Sequence, residues 1–386
     1  MDTRELLALM VEREASDLYL TAESPPILRI EGRTEPCGSE ALSAQQVEAM
    51  AHSVLNERQW ATFEERMEMN VAIVSQRVGR FRVNVFRQRG AVAMVARRIK
   101  AQIPTLDELG LPPILKTIAV SRRGLVLVTG ATGSGKSTTQ AAMLDYRNQT
   151  AGGHILTVED PIEFVHEHKQ CIVSQREVGF DTESFNEALR NMLRQAPDVI
   201  LIGEVRDVET MEAAITFSET GHLCLATLHS NNANQAIERV MNFFPVARHA
   251  EMYLQLSLNL RAIVSQRLVP GVDGKRVAAL EILLDTPWAK DLIKQGQVDV
   301  LKEAMEKSTQ EGGQTFDQSL FDLYAEGRIS EAQALANADS ANNLRIRIKN
   351  MQISGKMARD QRFAAAFGPG ELRIEGTPHP PTPRRP

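Results

Sequence analysis

Between residues 3 and 14 the apolar positions Leu6, Leu7, Met10 and Val11 fall at the spacing of an amphipathic helix. The period then shortens. Residues 17–20 and 27–30 are short apolar runs that predict strands, with Pro25 and Pro26 marking the turn between them. A helical pattern follows over about 43–65, then strands around 70–74 and 81–86 and a third over 91–99. Together these predict a small α+β domain over residues 1–100. Pro104, Gly110, Pro112 and Pro113 give the next segment turn chemistry, so residues 101–113 are read as an interdomain linker.

From residue 114 the pattern changes again. Apolar runs at 125–129, 155–158, 199–202, 223–227 and 277–283 alternate with helical patterns, which predicts βαβ units around a mainly parallel sheet. This α/β domain is assigned residues 114–345, and its ligands belong at the carboxyl ends of the strands. Past residue 335 the apolar period fades. Residues 345–386 carry nine Lys/Arg against three Asp/Glu, a net of +6, and five of the last nine residues are proline. Residues 346–386 therefore read as a basic, proline-rich tail, helical at its start and disordered from 368 onward. Such a tail is either a solvated extension or a docking segment.

A chain of 386 residues exceeds the usual ~100–200 residues of one domain, in keeping with two domains and an appendage. Its 43% apolar and 24% charged content are those of a globular protein, and a formal charge of −5 provides no general attraction to nucleic acid. Cys37, Cys171 and Cys224 are far apart and form no C-x-x-C pair, which argues against a disulfide framework or structural zinc and for a reducing cytoplasm. The start, Met1-Asp2-Thr3-Arg4-Glu5, lacks the order of a secretory signal, and no run approaches ~18 apolar residues. Membrane contact is thus expected only through partners.

Chemistry concentrates at a few points. Gly130-Ala131-Thr132-Gly133-Ser134-Gly135-Lys136-Ser137-Thr138 fits the pattern G-x-x-x-x-G-K-[ST] directly after a strand. Its glycines let backbone N–H groups turn onto phosphates, and the following helix adds the positive end of its dipole. Lys136 is expected to reach the β- and γ-phosphates and Ser137 to ligate Mg²⁺, so the ligands are ATP and Mg²⁺. The apolar strand after Pro197 ends in Glu204, a second candidate for the Mg²⁺ site. After another strand, Glu159, Asp160 and Glu163 place three carboxylates within five residues. A carboxylate that orients water in line with the γ-phosphate belongs here, and Glu163 is the chosen base. Glu159 and Asp160 read in part as loop and capping residues.

His222 and His229 bracket the strand at 223–227, with His229 at its active end, where it can hydrogen-bond the γ-phosphate; His222 reads equally as structural. Their spacing matches no common metal site. In residues 79–89, Arg80, Arg82 and further polar residues alternate with Phe81, Val83 and Val85, so arginines line one strand face. Such a row fits a solvated sheet face, a nucleic-acid surface, or arginines that stabilise a neighbouring subunit's nucleotide. The aromatic residues point to the core face, which leaves base stacking unsupported.

Several of these motifs follow one another in a known order. Ala15-Ser16-Asp17-Leu18, Arg80-Phe81-Arg82-Val83-Asn84, the loop at 130–138 and Glu159-Asp160-Pro161-Ile162-Glu163-Phe164 are followed by Gly203-Glu204-Val205-Arg206-Asp207, Thr220-Gly221-His222 and Thr227-Leu228-His229. Over residues 1–345 the chain resembles the twitching-motility ATPases of type IV pili, the PilT/PilU retraction branch of the secretion ATPase superfamily. The resemblance implies a RecA-like P-loop core preceded by a smaller PAS-like α+β domain, and a homohexamer with ATP at subunit boundaries. It further implies that Glu163 is the catalytic carboxylate of the Asp box, Glu204 the atypical Walker B acid, and His222 with His229 the His box. Arg80, Arg82 and Arg97 of the first domain are implied to approach the phosphates.

Two departures refine the resemblance. The chain lacks the four-cysteine zinc insertion of extension-type ATPases, which favours retraction. Where PilT-type ATPases carry Ala-Ile-Arg-Asn-Leu-Ile-Arg-Glu, this chain has Trp288-Ala289-Lys290-Asp291-Leu292-Ile293-Lys294-Gln295, with both arginines replaced by lysine and the glutamate lost. Together with the tail and Ser230-Asn231-Asn232-Ala233, these features resemble the accessory type within the family. The expected role is a cytoplasmic motor peripheral to the inner membrane at the pilus base, beside a main retraction ATPase of the PilT type and an inner-membrane platform protein. Neither nucleic acid nor direct membrane insertion is expected. A non-hydrolysing or weakly active regulatory ring is the alternative, and a nucleic-acid motor is disfavoured by the acidic balance.

Overall fold

Asp2 opens the first helix, Thr3–Glu12, by accepting from Glu5 N at 2.8 Å while Glu5 returns a bond to Asp2 N at 2.9 Å. This reciprocal box satisfies two amides that a helix start leaves open. The computed structural model describes residues 2–30, 32–75, 78–99 and 102–366, so the expectation of disorder from 368 onward lies outside the described residues. The same box recurs at Ser43 with Gln46 and at Asn56 with Gln59. Its last occurrence explains a difference from the expected helix over 43–65: Leu55 is extended, Asn56 starts a new cap, and two helices result, Ala44–Val54 and Glu57–Arg66.

Leu6, Leu7, Met10, Val47, Ala51 and Phe63 from these helices pack with a six-stranded sheet into one core. Its strands are β1 (Asp17–Leu20), β2 (Ile27–Ile30), β3 (Arg33–Pro36), β4 (Glu68–Ser75), β5 (Gly79–Gln88) and β6 (Ala91–Ile99), in the order β3-β2-β1-β6-β5-β4. All neighbours are antiparallel. All four residues of β3 are exposed, so no hydrophobic pattern announced it. Along β5, Phe81, Val83 and Val85 are buried while Arg80, Arg82 and Asn84 face the other way, as the alternation required. Register places Arg82 opposite Arg97 and Arg97 opposite Asp17. Like charges side by side repel, and Asp17 answers them: its Oδ1 accepts from Arg97 Nε at 2.8 Å.

The second sheet has seven strands: β7 (Gly124–Thr129), β8 (Gly153–Glu159), β9 (Cys171–Glu177), β10 (Val199–Ile202), β11 (Leu223–Leu228), β12 (Leu260–Pro270) and β13 (Arg276–Leu284). Their order is β13-β12-β7-β11-β10-β8-β9, and the pairings from β12 through β9 are parallel. β7, β10 and β11 are buried at every position, which is why they read as unbroken apolar runs. β9 and β12 were not anticipated, because Ser174, Gln175 and Arg176 interrupt the first and Ser265, Gln266 and Arg267 the second.

The chain divides into two compact units, Met1–Leu268 with Leu280–Thr315, and Val269–Ala279 with Phe316–Pro386. Both sheets draw mainly on the first. In the second, helices Phe316–Ala325, Glu331–Asn337 and Ala341–Ala366 share a core of Val269, Val277, Ala279, Phe316, Leu320, Leu344 and Ile348 among others. Leu344 and Ile348 are fully buried, so beyond residue 335 the apolar period narrows to one position per turn rather than vanishing. Among the described residues no helix is long and apolar enough to cross a membrane.

Phe81 is fully buried directly beneath the arginine face. Phe81→Ala should lower unfolding stability by about 3–5 kcal/mol in a denaturant titration; a loss well under 1 kcal/mol would contradict the packing described.

Candidate nucleotide site

β7 ends at Thr129, and the chain turns at Gly130, φ +147°, into the loop that leads to helix Lys136–Thr150. A β-carbon at 130 would lie 2.5 Å from both the Gln266 carbonyl oxygen and Ser134 Oγ, so glycine alone fits. At Gly135 a β-carbon would lie 2.7 Å from Gln266 Nε2. Gln266 is buried on β12 and clamps the loop: its Nε2 donates to Ser134 O at 2.8 Å, and its Oε1 accepts from Thr139 Oγ1 at 2.7 Å. Sequence reasoning missed this residue together with its strand. The buried Lys136 ammonium donates to the carbonyls of Gly130 and Ala131 at 2.9 and 2.8 Å. Burial pushes its pKa down, opposed by the charges of Glu204 and Glu163.

Because β8, β10 and β11 run parallel to β7, Glu159, Glu204 and His229 lie at the ends of neighbouring strands on the loop's side of the sheet. Glu204 Oε2 accepts from Arg206 Nε at 2.8 Å, and Oε1 lies 3.3 Å from His229 Nε2. Arg206 also lies 3.5 Å from Asp160. The pKa of His229 is lowered from 6.5, by burial first and by Lys136 second. A lowered pKa favours the neutral imidazole, whose Nε2 faces the Glu204 carboxylate. His222 sits at the opposite end of β11, where Nδ1 lies 3.1 Å from Thr220 Oγ1 and from the Phe217 carbonyl.

A cavity of about 250 Å³ is lined by Lys136, Ser137, Gln140, Glu159, Asp160, Glu163, His166, Glu204, Thr227 and His229, with Thr132 and Gly133 at its edge. Five sequence candidates, Lys136, Ser137, Glu163, Glu204 and His229, thus meet in one cleft. A second cavity of about 360 Å³ borders Gly130, Ala131 and His229. Thr138 is half-buried in the helix after the loop. Arg80 and Arg82 do not line either cavity. Arg80 Nη2 lies instead 3.5 Å from Glu177 Oε2.

Ser134 Oγ, Gln140 Nε2 and His166 Nδ1 are buried without a hydrogen-bond partner among the described residues. Buried polar groups nearly always have one, and since Gln140 and His166 line the first cavity, their atoms suit a polar ligand there. Burial pushes His166 down to about 4, which keeps it neutral. Sequence reasoning passed over it as one more loop residue. Among the described residues no cluster of three or more His, Cys, Asp or Glu is arranged to hold a metal ion. A serine hydroxyl and one carboxylate fit Mg²⁺, which keeps several waters and completes its shell with phosphate oxygens.

Burial raises the Glu159 carboxyl from 4.5 to about 7, against the hydrogen bonds from Thr157 Oγ1 at 2.7 Å and Gln175 Nε2 at 3.2 Å. The folded chain then holds a proton that the unfolded chain has released, so stability falls as pH rises from about 4.5 to about 7. Glu159→Gln should remove that slope. Thermal midpoints of both proteins, taken below and above this interval, test it; parallel profiles would show that the carboxyl ionises unhindered.

The family model described as Type II/IV secretion system protein matches residues 8–361. Over 350 residues, 90% of this chain and 92% of the relative, the sequence is 56% identical to the type IV pilus ATPase PilU of Pseudomonas aeruginosa. It is 45% identical over 89% of this chain and 100% of the relative to the pilus retraction ATPase PilT of the same organism. The crystal structure of the pilus retraction motor PilT with bound ADP aligns at a TM-score of 0.83 and 41% identity, covering 88% of this chain and 98% of that one. The chain therefore belongs to the Type II/IV secretion system protein family, among its PilT/PilU ATPases, and is an ATP hydrolase with their RecA-like core.

Proposed function

We propose that this ATPase drives type IV pilus retraction and twitching motility as a homohexamer, in the accessory position beside a main retraction ATPase of the PilT type. The observation that carries the reading is the convergence of Lys136, Ser137, Glu163, Glu204 and His229 on one cleft of about 250 Å³. Residues 130–138 cradle the triphosphate with backbone N–H groups, and Lys136 turns its ammonium from two carbonyls to the β- and γ-phosphates. Ser137 and Glu204 would hold Mg²⁺, with Glu204 kept in orientation by Arg206 and His229. A magnesium ion held there would supply positive charge against the negative charge that develops during transfer. Glu163 orients the attacking water and takes its proton on a carboxylate oxygen. Arg80, Arg82 and Arg97 bring positive charge from the N-terminal sheet, in keeping with a reaction governed by positioning and charge.

The working parts are the N-terminal domain at residues 1–100, the linker at 101–113, the ATPase domain at 114–345 and the tail at 346–386. Closure of the site moves the first of these about the linker as a rigid body. The accessory assignment rests on residues 288–295, within and just after helix Pro287–Lys294, where lysines stand at 290 and 294. Lys290 lies 3.2 Å from Asp285 as a point charge, without the planar fork of an arginine. The ring sits at the cytoplasmic face of the inner membrane at the pilus base, and meets the membrane through the platform protein.

Glu163→Gln and Glu204→Gln should each lower kcat by about 10²–10⁴-fold in rings whose mass by light scattering is unchanged. Full turnover in either variant would remove that residue from the mechanism. A wild-type ring that binds ATP without hydrolysing it would favour a regulatory ring over a motor.

A further inference from the structure

Glu177 ends β9 at the edge of the seven-stranded sheet and is only 1% exposed, yet it does not line the nucleotide cleft. A carboxylate buried this deeply is costly unless partnered. One of its oxygens, Oε2, meets two partners: the backbone N–H of Ile162 at 3.2 Å and Nη2 of Arg80 at 3.5 Å. Ile162 directly precedes Glu163, and Arg80 belongs to β5 of the other sheet. The end of β9 is itself pinned. Glu177 N donates to Asp181 Oδ2 at 2.9 Å, Val178 N donates to Glu159 O at 2.9 Å, and Glu159 pairs with Glu177 in register. The carboxylate thus stands between a fixed strand, the backbone that carries the base, and the arginine row. Burial raises its pKa, while the Ile162 N–H, Arg80 and Arg82 act against that rise.

We infer that Glu177 is a positioning residue: through one carboxylate oxygen it fixes the backbone ahead of Glu163 and ties that backbone to Arg80 of the N-terminal sheet. The inference rests on the proposed role of Glu163. Displacing a base from the line of attack by about 1 Å can cost about 10²-fold in rate, so a single anchor at the preceding residue is sufficient to matter. The same anchor gives the arginine row an anion within the chain, a reading that none of the three sequence alternatives contained. It also gives movement of the N-terminal sheet a direct route to the base, through two side chains and one amide.

The test combines steady-state kinetics with amide hydrogen exchange of nucleotide-free protein. Glu177→Ala should lower kcat about 10- to 100-fold with KM for ATP changed by less than about threefold, and should speed exchange over residues 160–166. Glu177→Gln should recover most of kcat and protection, because its side-chain carbonyl still accepts from Ile162 N. Arg80→Gln should speed exchange in the same segment and add nothing in the Glu177→Ala background. An unchanged kcat in Glu177→Ala, a Gln variant as impaired as the Ala variant, or an Arg80→Gln protein with unaltered exchange would each overturn the inference. Should Glu177→Ala fail to fold, Glu177→Gln and Arg80→Gln decide by exchange. If wild-type protein does not turn over ATP, the hydrolytic reading falls, while exchange still decides whether Glu177 anchors Ile162.

Discussion

Parallel register is the constraint on which the rest of this molecule depends. Ile202 of β10 pairs with Val158 of β8 on one side and with Ala226 of β11 on the other, and Ala226 pairs in turn with Leu127 of β7. Parallel strands deliver their carboxyl ends to the same edge, so one set of backbone hydrogen bonds brings the phosphate loop, Glu163, Glu204 and His229 within reach of one ligand. The approach is close enough to dictate residue type. A β-carbon at Gly203, between β10 and Glu204, would lie 3.0 Å from the Glu159 Cα, so a larger residue there would push apart the two acidic segments of the site.

That edge collects charge, and the structure distributes it among few atoms. Arg206 answers Glu204 and Asp160, and the Ile162 N–H answers Glu177, while burial lowers the pKa of His229 and His166. Burial also raises the Glu159 carboxyl to about 7, so that it carries only part of its negative charge at neutral pH. Glu204 is the most tightly committed member, with one oxygen on Arg206 and the other on His229. A carboxylate held from two directions needs little reorganisation when charge develops beside it, which is how preorganised sites lower barriers.

Most of this was legible in the chain, for a physical reason. β7, β10 and β11 are buried on both faces, so their sequences are unbroken apolar runs, and the polar residue that ends such a run stands out. Glu204 and His229 were found in that way, and the glycines of the loop by the turn they must make. Gln266 and Glu177 were hidden because β12 and β9 mix polar with apolar residues, and a buried polar side chain in a strand looks like a surface one until its partners are known. The fate of Leu344 and Ile348 has a similar origin: a helix that buries one residue per turn leaves too weak a period to separate from noise.

The arginine face of β5 shows where composition alone misleads. Alternation fixed which side the guanidiniums take, and a row of cations must find anions. It does not say which anions. Nucleic acid, a neighbouring subunit's phosphates and solvent were all admissible, whereas the chain supplies two carboxylates of its own: Asp17 beneath Arg97 at 2.8 Å and Glu177 beside Arg80 at 3.5 Å. Both carboxylates are nearly fully buried, so each arginine is held by a partner that cannot readily turn to water. An arginine held in this way is preorganised, and it loses less side-chain entropy on meeting a phosphate than a free one would. Arg80, which looks free in the sequence, is thereby tied through Glu177 to the backbone just ahead of Glu163.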